Sequence, residues 1–350
     1  MEDHRKRKAV ALWLLAGVFM IIVQTLLGGI TRLTGSGLSI TEWKPIMGAI
    51  PPLNEKEWNL AFDGYKHTGQ FKYLNSDFTL SDFKFIFFWE WIHRLWARLL
   101  GVVFIVGFIW FLVKKYFDKG MMQPFIILFL LGALQGVIGW IMVISGLNDT
   151  HLYVDHIRLA THFVAAMILA CYTLWFALQL LIPAEQRVTD NRLHNFTLII
   201  ISLLFLQLVY GAFMAGLKAA TSAPTWPTIN GEWIPGKLFS ESLINNNINV
   251  HFIHRELAYI LFVLLIWWFV KALKLSKIKA QPLFKKSLKW PAILIVLQLL
   301  LGICTILSAP TMVVGKFGQY QFLAELHQLT AMFLLMSLLV NLYVVKKTTY

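Results

Sequence analysis

The sequence predicts an all-α integral membrane protein, with eight transmembrane helices arranged as two pseudo-symmetric four-helix bundles. Three observations predict this. The first is composition: 58% of the 350 residues are hydrophobic and 14% charged, with mean hydropathy +0.65, whereas a soluble domain is nearer half apolar and about a quarter charged. The second is a series of apolar runs that reach the ~20 residues needed to span a hydrocarbon core. The third is a short motif that recurs in alternate runs and divides the chain in two.

The runs predict helices at about 9–30, 84–113, 123–146, 157–182, 196–217, 250–273, 290–308 and 322–345. Eight spans leave both termini on one side. The connections on that side hold most of the clustered Lys and Arg, including Arg5 to Lys8 and seven Lys between Lys271 and Lys289. The positive-inside rule makes those segments cytoplasmic. The formal net charge of +13 is therefore a membrane-topology signal, and nucleic acid is not an expected partner. The first apolar run has a basic flank but no small-residue cleavage site, and "MEDHRKRKAV" opens with acids, which argues against a signal or transit peptide. A bacterial inner membrane is the expected location. The outward segments 31–83 and 218–249 are long and rich in Gly, Pro and Trp, which predicts ordered caps at the interface. Cys171 and Cys304 both fall inside apolar runs, so they are expected to be packing residues rather than a disulfide.

The odd-numbered spans share Gln-x-x-x-Gly, at Gln24–Gly28, Gln135–Gly139, Gln207–Gly211 and Gln298–Gly302. This spacing puts Gln and Gly on one helix face. Gly permits close approach of a helix or a flat ligand, and Gln can hydrogen-bond inside the bundle. The even-numbered spans each carry a His near the outward end: His93, His162, His254 and His327. The separations match, 69 residues from His93 to His162 and 73 from His254 to His327. The chain therefore reads as two halves, 1–190 and 191–350, in a parallel repeat. That weakens the inverted-repeat transporter reading.

Histidine inside a membrane helix is costly and is usually functional. Two imidazoles on facing helices can ligate a haem iron from both sides, and bundles build cofactor sites in this way. Each half can hold one haem, through His93 with His162 and through His254 with His327. A di-iron carboxylate centre is the rival, because Glu90-x-x-His93 fits its motif. The spans offer only Glu256 and Glu325 besides Glu90, and His251 stands where a second Glu would be needed. His4, His67, His151, His156 and His194 lie at or beyond the ends of spans and are expected to be solvated or interfacial.

"FFWEWIHRLWARLLG" (87–101) places Glu90, His93, Arg94 and Arg98 on one face with Ala97 and Gly101, within an arc of about 140°. That face should point into the bundle. "EWIHR" (90–94) corresponds to "HFIHR" (251–255), so the His-Arg pair is duplicated and Glu90 is not. An acid unique to one half suggests chemistry there, by proton transfer; pairing with Arg94 is the structural alternative. Arg binds carboxylates in bidentate fashion, so Arg94 or Arg98, and Arg255 in the second half, are candidates for haem propionates. The residues alone fit a di-haem b electron-transfer cytochrome equally well.

"GGITRLTGSGLSITEWKPIMGAIPP", "EWIHRLWAR", "RLATHF", "HFIHREL" and "ELHQ" together resemble the haem A synthase family of cytochrome oxidase assembly. The likeness is closest to the branch shared by mitochondria and Gram-negative bacteria, and it covers nearly the whole chain. The resemblance implies an oxidoreductase that converts the C8 methyl group of haem O to a formyl group, by way of an alcohol, giving haem A. It implies that the N-terminal half holds the substrate haem O through His93 and His162. The C-terminal half would hold haem b through His254 and His327, and Glu90 would be the acid beside the substrate. Haem O synthase, an electron donor, membrane lipid and a second copy of the chain are the partners that follow. The paired loop cysteines of another branch are absent, so a thiol role is not carried over.

Overall fold

The computed structural model describes residues 2–41, 47–147, 152–238, 240–313 and 315–348. Eight helices are long and apolar enough to cross a membrane. They are α1 (Glu2–Leu33), α4 (Leu80–Val113), α5 (Met122–Ile144), α6 (His156–Leu181), α7 (Asn191–Gly216), α8 (Asn247–Lys279), α10 (Lys289–Ser308) and α11 (Gln319–Val344). The short helices α2 (Glu55–Lys66) and α3 (Gly69–Leu74) lie in the first long connection, and α9 (Pro282–Ser287) joins α8 to α10. The protein is all-α and spans the membrane several times.

Helix ends differ from the expected ones for local reasons. α1 begins near the N-terminus because Arg5 to Lys8 are good helix formers. α4 begins at Leu80 because Thr79 and Asp82 form a capping box. α8 continues to Lys279 through its Lys-rich end, where cations suit a helix C-terminus.

Four helices form the centre. Windows of α1, α6, α7 and α11 are 33 to 50% buried, whereas those of α4 and α5 are each 6% buried. α1 packs between α4 and α6, and α5 packs on α6. In the second half α8 packs on α7 and α10, and α11 on α10 and α7. The two sets meet where α6 lies on α7 and where α11 lies on α1 and α6. One apolar core, with Met167, Ile200, Leu265, Trp268 and Leu335 fully buried, runs through both sets. At the Lys-rich end, β1 (Val188–Thr189) pairs in parallel with β2 (Val345–Lys346). This ties the linker between halves to the end of α11. Cys171 and Cys304 are free thiols.

The first long connection is folded onto α4. Phe62, Tyr65, Phe83, Ile86 and Phe87 form a buried cluster with Trp58 and Phe71 against it. Asn54 caps α2 and Thr68 caps α3. The Tyr65 hydroxyl donates to Gln70 and accepts from Asn75, and burial pushes it up to about 12.

Candidate functional site

The four Gln-x-x-x-Gly motifs and the four histidines meet one to one. A Cβ built on Gly28 would stand 3.2 Å from His93 Nε2, and one on Gly139 would stand 2.8 Å from His162 Cε1. At Gly211 the distance to His254 Cε1 is 3.2 Å, and at Gly302 it is 3.0 Å to His327 Cε1. Each imidazole thus rests on a glycine of a neighbouring helix, in a space that a methyl group would crowd. The sequence places Gln and Gly on one face, but only packing shows that each Gly is the floor beneath a His.

Glutamines complete three of the four cradles. Gln135 Nε2 donates to the His162 carbonyl at 2.9 Å and lies 3.2 Å from its Nδ1. Gln207 Nε2 donates to the His254 carbonyl at 3.0 Å. His327 Nδ1 lies 3.1 Å from the Gln298 carbonyl oxygen, which suits a proton on Nδ1, and its Nε2 lies 3.3 Å from Gln298 Nε2. The rings of His254 and His327 face each other with centroids 6.4 Å apart and planes at 77°. His93 and His162 lie within electrostatic reach of each other.

Several buried polar atoms have no partner: the Oε1 of Gln24, Gln135, Gln207 and Gln298, and His254 Nδ1. Such orphans cost free energy unless a ligand or water satisfies them. Ala97, on the His93 face of α4, is exposed. A Cβ on Gly101, Gly132 or Gly136 would meet nothing within 4 Å, so room remains along α4 and α5. Facing imidazoles, small residues and orphaned polar atoms together fit a flat iron macrocycle. A di-iron centre does not fit: no group of three or more His, Cys, Asp or Glu able to hold a metal ion occurs among the described residues.

Glu90 and the two arginines are placed by the connecting segments. Glu90 is 2% exposed. Its Oε2 accepts from Ser39 N at 2.7 Å, Ser39 Oγ at 2.7 Å and Ile40 N at 2.9 Å. Its Oε1 pairs with Arg94 at 2.5 Å, and Arg94 also donates to the Ile40 carbonyl at 3.3 Å. The first cap is therefore latched to α4 through Ser39 and Ile40. The second half repeats this with other chemistry. Arg255 donates through Nε to His251 Nε2 at 3.0 Å, and its remaining nitrogens reach the carbonyls of Ala223, Thr225, Pro227 and Thr228. His251 thus takes the position of Glu90, and Arg255 binds the second cap.

The lower-ranked histidines lie apart from the cradles. His156 opens α6, and its Nε2 lies 3.0 Å from the Ile244 carbonyl. His194 Nδ1 lies 2.6 Å from the Val345 carbonyl, and His67 caps the end of α2. His4 lies on the first turns of α1, and His151 lies outside the described residues.

The cytochrome oxidase assembly protein family (COX15-CtaA) matches residues 11–339. The chain belongs to this family. Relatives named Heme A synthase run the length of it. One from Flavobacterium johnsoniae is 37% identical over 352 residues, covering 98% of this chain and 99% of the relative. One from Parvibaculum lavamentivorans is 38% identical over 89% of each chain. One from Rhodopseudomonas palustris is 41% identical over 86% of this chain and 82% of its own. Within the COX15-CtaA family frame, the four cradles are the features of this chain best suited to haem.

Proposed function

We propose that this protein is an oxidoreductase that converts the C8 methyl group of haem O to a formyl group, by way of an alcohol, making haem A for cytochrome oxidase. One observation carries the reading: a His seated on a Gly of a neighbouring helix occurs twice in each half, on a chain whose full-length relatives bear that enzyme's name. His93 and His162 hold the substrate haem O in the N-terminal half. His254 and His327 hold haem b in the C-terminal half. Haem b, when bound, supplies one-electron redox chemistry.

Glu90 handles the proton at the reacting edge. It also bonds the Ser39–Ile40 turn, so acid and cap are coupled: releasing the carboxylate frees the cap. Arg94 orients that carboxylate. Arg94 and Arg255 serve the haems by fixing the caps that exclude water from them. The protein lies in a bacterial inner membrane with both termini and the Lys-rich connections in the cytoplasm, and haem O reaches it laterally from the lipid.

Absorbance spectra of purified variants test the assignment of the halves. His254→Leu should lose the resident haem b band, and His93→Leu should keep it while losing haem A formation. A normal haem b band in His254→Leu would refute the assignment.

A further inference from the structure

Arg32 and Lys218 are two cations that neither the cradles nor the cap latches use. Arg32 sits at the end of α1, four residues beyond Gly28. It is thus one turn, about 6 Å, further along the same face that supports His93. One of its five donors goes to the Ala215 carbonyl on α7. Lys218 follows α7 and has φ 54°, ψ 33°, a left-handed conformation at a position where glycine is the usual residue. Its ammonium rests 3.5 Å from the centroid of the Tyr153 ring, in the segment that leads into α6 and His162. A cation–π contact leaves N–H donors available.

These cations sit at the end of the bundle opposite the Lys-rich connections, against the charge bias of the rest of the chain. Both residues converge on the end of α7: the Arg32 side chain and the Lys218 backbone N–H donate to the same Ala215 carbonyl. Among the described residues the acid whose charge acts on Arg32 is Glu325 on α11. Its Oε2 lies beside Gly29 and has no partner, and Gln328 donates to its Oε1 at 3.3 Å. Among the described residues no ion pair within 4 Å joins an acid to Arg32 or Lys218. Tyr320 is the remaining titratable group near Arg32. Two partly buried cations with no ion-paired acid among the described residues are expensive unless an anion completes them.

We propose that Arg32 and Lys218 form an anion site for the propionate carboxylates of the haem held by His93 and His162, at the seam between the halves. This rests on the haem reading above. Guanidinium and ammonium groups both bind carboxylates through charge-assisted hydrogen bonds. Burial and the charge of Arg32 lower Lys218 to about 8, so a bound carboxylate would hold its proton on. Affinity for the free acid should then fall as pH rises above about 8. In Lys218→Arg it should not fall.

The test titrates the haem b-loaded protein in nanodiscs with haem O and with its dimethyl ester, read by the bis-imidazole absorbance of the added haem. His93→Leu serves as the blank. Wild type should bind the ester about tenfold or more weakly than the acid. The Arg32→Gln/Lys218→Gln variant should bind both forms alike. An ester penalty of the same size in the variant overturns the anion site and leaves the haem reading standing. No bis-imidazole band with either form refutes the haem reading, and the anion site with it. The titration is run in neutral lipid and again with anionic lipid. The penalty should be equal in both, and its loss in anionic lipid would assign the site to phosphate headgroups.

Discussion

At the residue scale, the unrepeated acid is latched to the first cap and, in the proposed function, also handles a proton. Removing the Glu90 side chain leaves Arg94 without its carboxylate and the Ser39 and Ile40 amides unpaired, and breaking a buried pair in this way costs about 3–5 kcal/mol. Glu90→Ala therefore mixes stability with chemistry. Glu90→Gln keeps an acceptor for the cap and removes the exchangeable acid. It should retain normal haem b absorbance while haem A yield falls by about 10²-fold or more; an undiminished yield would leave Glu90 a purely structural role. Lys218 gives a second residue-scale expectation. Its proton is held less tightly in the folded chain, at about 8, than the ordinary 10.5. Between those values the unfolded chain binds more protons, so stability should rise with pH across that window. Thermal unfolding at pH 7.5 and 10 checks the sign, and Lys218→Met should flatten the difference.

The element scale is where the glycines act. Gly139→Ala would put a methyl 2.8 Å from the His162 ring, closer than a side chain tolerates, so the imidazole must move. Gly28→Ala, at 3.2 Å from His93, is the milder case. The expected order of lost bis-imidazole absorbance is therefore Gly139→Ala above Gly28→Ala. Caps follow the same logic. Arg255→Lys keeps the charge but loses the planar fork that reaches four loop carbonyls and His251. Limited proteolysis should cut the 218–246 connection faster in that variant, with the transmembrane core intact. The motif spacing in the sequence foretold that Gln and Gly share a face, because helical periodicity is local. It did not foretell which histidine lies over which glycine, since that depends on how α1 meets α4 and how α7 meets α8. Nor did it foretell the latch between Glu90 and Ser39, whose partners are fifty-one residues apart.

For the whole molecule, the eight candidate spans were legible because apolar length needs no knowledge of packing. The centre was not. α1, α6, α7 and α11 are buried most deeply, and they belong to both halves, so the halves share one core. Glu325 and Gly29 meet on that seam, and Arg32 and Lys218 lie near it. Such an arrangement couples the halves: under the proposed haem assignment, a change of charge at one cradle would be felt at another across a continuous, largely apolar interior where screening is weak. The peripheral position of α4 and α5, each 6% buried over its most apolar window, leaves the N-terminal half open toward the lipid, as suits a long-tailed substrate. The central claim, that this chain makes haem A from haem O, is tested most directly by extracting haem from membranes that contain haem O synthase, with and without this protein. Haem O should accumulate without it and be replaced by haem A with it. Haem O that persists unchanged in the presence of the folded, haem b-loaded protein would contradict the account.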